Sequence, residues 1–428
     1  MTTTDKMFNQ SLLVEALNTS TMTTAWALNG MSLVAKGQSF LAVSHVWADG
    51  TGAGAWKAGQ VNNCLWEFWV KIAGDLGCNG VWWDTVCIPR DPKVRPIALN
   101  KMHENYADAK CTIVHDLYLA GIEWKNDGSP CIALVLSPWF SRGWTALELL
   151  LSKRVFVLFR QGDDGYILKD LDQDILAKHR FLHSHAHWIA TEAVKRLRHA
   201  SHTFESACDL LSVLQARNTS WKRDVKIIAG LMCGLSAHAT LSEEEVTQKI
   251  LLKLGSINTS CLLHGLETMS EPQFSWCPHH FVDIPSGGRS RSAFLRINSN
   301  GTLYGSPWVI WHIPSKIDGV VWPSRADESV QTQVQRALQE PEGCVILTCD
   351  SFGSQGLLVR LKAHKLSRKK GPFYCEYIGG VDVTLSEIRP KGPNIKKDVC
   401  IGYEPGMVDV GDVDWAPPNN ILEHLGIL

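Results

Sequence analysis

The chain has 428 residues, long enough for two or three domains, and 45% hydrophobic with 20% charged residues is a globular composition able to bury sizeable cores. With 42 Lys plus Arg against 43 Asp plus Glu the net charge is -1, so no global field draws the chain to nucleic acid or anionic membrane. Thirteen cysteines, an odd number without C-x-x-C pairs, argue against a disulfide framework or a zinc ribbon and for reduced thiols.

The amino-terminal stretch MTTTDKMFNQSLLVEALNTS has no cationic start followed by an unbroken apolar core, and no later segment reaches about 18 residues free of polar side chains. A soluble, cytoplasmic protein is expected. Residues 1–37 read as an N-terminal extension. Beyond them SFLAVSHV (39–46), GVWWDTVCI (80–88), CTIVH (111–115) and RVFVLF (154–159) are predicted as short buried strands. Helical patterns lie between them: residues 60–76 carry Cys64, Leu65, Phe68, Trp69 and Ile72 at helical spacing, residues 94–109 carry Ile97, Met102, Tyr106 and Ala109, and residues 144–152 form a further helix. Strand and helix alternate over 38–165, which predicts an α/β domain: a mostly parallel sheet with flanking helices, with ligands gathering at the carboxyl ends of its strands. Residues 166–255 read as a helical segment, periodic over 192–214 and 225–235. From there the runs AFLRI, WVIWHI, CVILTC, GLLVRL and PFYCEYI alternate with Gly, Pro, Asn and Ser turns, giving a β-rich C-terminal domain over 256–428.

Polar residues concentrate where the predicted strands end. The first run exits through Ser44, His45, Trp47 and Asp49 into GTGAG at 50–54; the second holds Trp82, Trp83, Asp84 and Thr85; the third exits through His115 and Asp116. Convergence on one rim makes this set a candidate site, while each member alone has a plainer role as a cap, a core histidine or packing. Glu148 sits within the most apolar part of SPWFSRGWTALELLLSKRVFVLF. One turn away on a helix it meets Trp144, Thr145, Leu151 and Ser152, none of them a cation. An unpaired buried carboxylate costs several kcal/mol, so either a distant ion pair, to Arg142 or Arg154, or a functional role must offset it.

Several familiar signatures are incomplete. GTGAG lacks the third glycine of a dinucleotide fingerprint and the lysine of a P-loop. HRFLHSHAHW at 179–188 spaces His183 and His187 by four residues with His185 between, yet contains no HExxH. Cys87 has no base beside it in sequence. The basic run KLSRKKG at 365–371 reads as a solvated loop.

SHVW (44–47), VWWDTVCI (81–88), the helix of Met102, Tyr106 and Ala109, and PWFSRGWTALE (138–148) together resemble the fungal heterokaryon-incompatibility, or HET, domain. The likeness runs over roughly residues 38–235, with Arg223-Asp224 resembling a step found after that domain. Ala48 in place of a glycine, PRD at 89–91, His115-Asp116 and Leu147 depart from the family pattern and mark a divergent branch. The resemblance implies a flavodoxin-like sheet related to Toll/interleukin-1 receptor (TIR) domains, and a role in incompatibility-triggered programmed cell death. WTALEL (144–149) is similar to the segment carrying the catalytic glutamate in NAD-hydrolysing receptor domains, which implies an NAD glycohydrolase-type reaction with Glu148, Asp84 and His115 as catalytic candidates. Ser44, His45, Trp47, Trp82, Trp83, Thr85, Asp116, Arg142 and Trp144 are the candidate substrate contacts. NAD would be substrate, with no cofactor and no metal required. Partners reduce to a small-molecule substrate and, left open, a second copy of the chain, with neither nucleic acid nor membrane expected. An enzyme of fungal secondary-metabolite tailoring using the same rim and a non-catalytic interaction module remain as alternatives.

Overall fold

The computed structural model describes residues 5–19, 22–49, 59–163, 165–180, 184–198, 204, 206–219, 221–235, 241–286, 294–313, 320–321, 326–349, 352, 354–363, 373–383 and 396–409. GTGAG, His183 and KLSRKKG lie outside these residues. The chain forms two compact units, residues 1–203 with 216–240, and residues 204–215 with 241–428.

The first unit begins with β1 (Asp5–Met7), α1 (Gln10–Asn18), β2 (Met22–Ala27), β3 (Leu33–Ala35), β4 (Leu41–His45), β5 (Gln60–Asn62), α2 (Asn63–Asp75), β6 (Gly80–Trp83) and α3 (Asp84–Cys87). It continues through α4 (Arg95–Asn100), α5 (Met102–Asp108), β7 (Cys111–His115), α6 (Leu117–Ala120), α7 (Ser129–Leu136), α8 (Gly143–Leu151), β8 (Val155–Gln161), β9 (Gly165–Asp170) and α9 (His185–Arg198). The chain then contributes α10 (Ala207–Leu214) to the second unit and returns to the first as α11 (Lys222–Met232).

Among the described residues seven strands form the first unit's sheet, in the order β3-β2-β6-β4-β7-β8-β9. Its centre is the four predicted strands, β6, β4, β7 and β8, parallel and adjacent. Their runs are apolar without alternation because both faces of the sheet are covered: Leu41, Ala42, Val43 and Ser44 are all buried completely. The predicted second strand is shorter than its apolar run, since after Trp83 the chain coils into α3. Residues 60–76 likewise start as a strand, and the helix begins only where Asn62 accepts a hydrogen bond from the Cys64 amide at 2.9 Å and caps α2.

The boundaries drawn from sequence are corrected in two places. Residues 1–37 are no separate extension, because β2 pairs antiparallel with β6 and β3 antiparallel with β2, which extends the sheet. The segment 166–255 is no single helical block: β9 closes the sheet's other edge, and the remaining helices are divided between the two units.

Strand alternation sorts the core into two layers. In register, Val43, Trp83 and Ile113 share one face with His45 and His115. There Trp69 of α2 meets Trp83 and His115 edge-on, at ring-centroid distances of 6.4 and 5.4 Å. Ala42, Trp82 and Thr112 share the opposite face with Ser44 and Val114. There Tyr106 of α5 packs on Trp82 at 5.1 Å and Ser152, just past α8, meets the Thr112 hydroxyl at 2.6 Å. The helices α5 and α8 therefore cover one face and α2 the other.

Residues 138–145 enter α8 through a tight crossing with the chain after α10. The Gly143 amide donates to the Asn218 carbonyl at 2.8 Å, and a Cβ on Gly143 would stand 2.6 Å from Thr219 Cγ2 and 3.1 Å from Ile228 Cδ1. Gly143→Ala should therefore cost about 1–3 kcal/mol through overpacking. Urea unfolding checks it; an unchanged midpoint would mean that the crossing has room to spare.

The second unit adds α12 (Glu243–Leu254), β10 (Ser256–Asn258), β11 (Phe294–Ile297), β12 (Leu303–His312), β13 (Val320–Val321), α13 (Glu328–Gln339), β14 (Cys344–Thr348), β15 (Gln355–Ala363), β16 (Phe373–Val383), β17 (Lys396–Ile401) and β18 (Val408–Asp409). Among the described residues these strands form one nine-stranded sheet, mostly antiparallel, to which each of the five predicted apolar runs contributes. Val330, Val334, Ala337 and Leu338 of α13 close its core over Ile346, Leu358, Ile378 and Val381. Among the described residues no helix of either unit is long and apolar enough to cross a membrane.

Candidate functional site

The carboxyl ends of β4, β6 and β7 lie side by side, with His45 paired in register to His115 and Val43 to Trp83. Adjacent residues of a strand point to opposite faces, so Ser44 and His45 belong to different clusters. On the α8 side, the Glu148 carboxylate accepts a hydrogen bond from the Ser44 hydroxyl, whose oxygen in turn accepts from the Trp139 indole N–H at 2.6 Å. Glu148 is 7% exposed, and among the described residues it has no ion pair. Burial pushes its carboxyl up to about 7, with the Asp84 charge adding to the rise and the Ser44 hydrogen bond, Arg142 and His45 opposing it. Tyr106 lies beside it, its hydroxyl donating to the Val43 carbonyl at 3.3 Å. Burial raises that phenol well above its ordinary value, as do the charges of Glu148 and Asp84.

On the α2 side, Asp84 takes two hydrogen bonds. His45 Nε2 approaches Oδ1 at 2.7 Å and the Trp47 indole N–H donates to Oδ2 at 2.7 Å. Burial alone would raise the Asp84 carboxyl, but the charge and hydrogen bond of His45, with the Trp47 indole, hold it below its ordinary value. With Nε2 on Asp84, the other ring nitrogen of His45, Nδ1, is buried and has no hydrogen-bond partner among the described residues. His115 beside it is pushed down to about 4 by burial and by His45, so its imidazole is neutral at physiological pH. The two clusters meet at the end of β4, where an Arg142 guanidinium N–H donates to the His45 carbonyl at 3.3 Å.

The rim gathers Ser44, His45, Trp47, Asp84, His115, Arg142 and Glu148, with Thr85 joined through its hydroxyl to Asp84 at 3.3 Å. Glu148 and Asp84 nevertheless serve separate hydrogen-bond networks on either side of β4, not the single cluster expected. Other candidates are corrected. Trp82 is buried in the core with its indole N–H on Thr24 at 3.0 Å, and Trp83 is buried against His45 and Trp69, so neither offers a face to a ligand. Trp47, at 52% exposed, is the rim tryptophan open to solvent. Asp116 is a structural cap: it accepts from the Leu119 and Trp139 amides at 3.2 and 2.8 Å, fixing α6 and the start of the Trp139 loop. Trp144 ties α8 to α11 through Asp224 at 3.0 Å. Arg154 pairs with Asp170 at 2.6 Å, not with Glu148.

No family model, curated protein or solved structure matches the chain. Two further candidates resolve on geometry. His187 is a core histidine, with Nε2 on the Ile175 carbonyl at 2.8 Å, and among the described residues no group of three His, Cys, Asp or Glu is placed to hold a metal. Cys87 is buried and its thiol is raised by that burial, the reverse of what a nucleophilic thiol needs.

Two residues beyond the expected set hold the site together. Trp139 orients Ser44. Arg217 donates to the carbonyls of Phe140 and Arg142, the second at 3.0 Å, and stacks 4.4 Å above the Phe140 ring. It lies some seventy residues from that loop, and no local spacing signals the contact.

Proposed function

We propose that the chain is an NAD-cleaving hydrolase of HET type, with a flavodoxin-like first domain and Glu148 as its working carboxylate. The order of the parallel strands supports the fold reading: taken by sequence, β4, β6, β7 and β8 lie in the order 2-1-3-4, as in flavodoxin-like sheets, whose ligand crevice opens between the first and third strands. Ser44, His45 and His115 stand at that point. The observation that carries the chemistry is a carboxyl at this edge, buried, without an ion pair among the described residues and pushed up to about 7.

The nicotinamide of NAD is a cationic leaving group, so breaking its bond to ribose C1′ releases neutral nicotinamide and leaves positive charge on the sugar. Ionised Glu148 would stabilise that oxocarbenium-like centre, and water adding to C1′ would lose a proton to give ADP-ribose. The Trp47 indole would stack on a base at the open side of the rim. In this reading the protein acts in the cytoplasm as an effector of fungal incompatibility and cell death.

Nicotinamide release by the full chain tests the reading. The rate should rise with pH through about 7 as Glu148 ionises, and Trp47→Ala should raise KM by about 3- to 10-fold at unchanged kcat. A folded protein that leaves NAD intact between about pH 6 and 8.5 would overturn NAD as the substrate. The second reading is a non-catalytic module in which Trp139, Ser44 and Glu148 only tie β4 to α8. It draws on the low exposure of Glu148, and predicts no turnover together with loss of stability on changing any of the three.

A further inference from the structure

We infer that Cys208 and Cys261 form an oxidative modification site: a vicinal thiol pair in the second unit that a low-molecular-weight disulfide converts to an intramolecular disulfide. None of the thirteen cysteines is in a disulfide. Within that set the sulfurs of Cys208 and Cys261 approach to 2.9 Å, inside van der Waals contact and less than about 1 Å beyond a bonded S–S distance. Both cysteines sit in capped turns. Cys208 sits in the first turn of α10, where Ser206 accepts from the Asp209 amide at 3.3 Å. Cys261 sits in the short 3-10 turn Thr259–Leu262, which Asn258 caps by accepting from the Ser260 amide at 2.9 Å.

The pair is asymmetric, as stepwise exchange requires. Cys208 is part-exposed, while Cys261 is 1% exposed. The Asn258 amide donates to the Cys208 sulfur at 3.3 Å, and with the Cys261 thiol also donating to it, Cys208 carries the thiolate more readily. In the reaction the Cys208 thiolate attacks one sulfur of a disulfide such as oxidised glutathione, expelling one thiolate and leaving a mixed disulfide. Cys261 then loses its proton and attacks the Cys208 sulfur, expelling the second thiol, so two electrons pass from the pair to the reagent. Cys78 and Cys111 are also hydrogen-bonded to each other, but both are buried, so a reagent in solution does not reach them.

The two cysteines are 53 residues apart, and the loop that the bond closes contains residues 216–240, which return to the first unit and include Arg217. The inference is independent of what the rim does. The full chain, purified under reductant, is equilibrated in glutathione buffers of graded potential, alkylated and mapped by mass spectrometry. The expected result is the loss of two alkylatable thiols from the native protein, and a cross-linked peptide joining Cys208 to Cys261. Cys208→Ser and Cys261→Ser should each abolish the cross-link, and circular dichroism confirms that the variants are folded. Glutathione stopping at a mixed disulfide on Cys208, a bond only between chains, a bond between Cys78 and Cys111 instead, or full alkylation of native protein at every potential would each overturn the assignment.

Discussion

Glu148→Gln should lower nicotinamide release by about 10²- to 10⁴-fold, the range expected for removing an acid-base or charge-stabilising group at a reacting centre. The same change should not weaken the fold, and its effect on stability should depend on pH. The folded carboxyl titrates at about 7 against an ordinary glutamate value of 4.5. Below about pH 4.5 it is protonated in both the folded and unfolded chain, and it resembles the amide of glutamine. As pH rises towards 7 the unfolded chain gives up this proton before the folded chain does, so the wild type loses stability across that window by about 1.4 kcal/mol per pH unit. The Gln variant lacks this slope. It should match the wild type near pH 4.5 and exceed it at pH 8 by on the order of 3 kcal/mol. Paired urea titrations at the two pH values, run beside the NAD assay, read both effects. A variant destabilised at pH 8, or one that keeps its turnover, would remove Glu148 from the reaction.

The second large effect is expected at Arg217. Arg217→Met keeps the apolar stem over Phe140 but withdraws the guanidinium from the carbonyls of Phe140 and Arg142 and from Thr145 Oγ1. Charged hydrogen bonds of this kind contribute about 1.5–3 kcal/mol, so the midpoint of unfolding should fall accordingly. The loop that positions Trp139 would loosen with it, and turnover should fall even where the protein remains folded. Arg217→Lys should rescue little, since one ammonium cannot span the carbonyls in the fork geometry of the guanidinium. A Lys variant equal to wild type in both measurements would show that the charge alone matters.

How much of this could be read from the sequence depends on how far apart the partners are. The four parallel strands were legible because burial on both faces leaves continuous apolar runs such as LAV and VFVLF. The β2–β3 hairpin was not, because MTTAWA mixes threonines into a short strand whose partners begin at Leu33 and Gly80. Glu148 was legible as an anomaly, a carboxylate without a helical neighbour, but its partner Ser44 lies 104 residues away. Part of the site geometry was available all the same. A two-residue period puts Trp82 and Trp83 on opposite faces of β6, and Ser44 and His45 on opposite faces of β4, so no single cluster could have held all four. Both tryptophans pair with Ala42 and Val43 inside the sheet and are core residues, a register that no local spacing signals. The division of residues 166–255 left no such mark, since α9, α10 and α11 carry ordinary helical periodicity whichever unit receives them.

The placement of Ser44 and His45 back to back on one strand has an electrical consequence. Asp84, on one side, stays ionised through the physiological range, while Glu148, on the other, is half protonated near neutrality. The rim thus behaves as a fixed charge next to a titrating one. Any cation that settles between them favours the ionised form of Glu148, and by thermodynamic reciprocity it must expel a fraction of a proton as it binds. That release is greatest somewhat below pH 7, between the values at which the free and the occupied site titrate, and vanishes well above pH 7. The heat of binding measured in buffers of different ionisation enthalpy would count the protons, and so report ligand occupancy at a site where no bond need be broken.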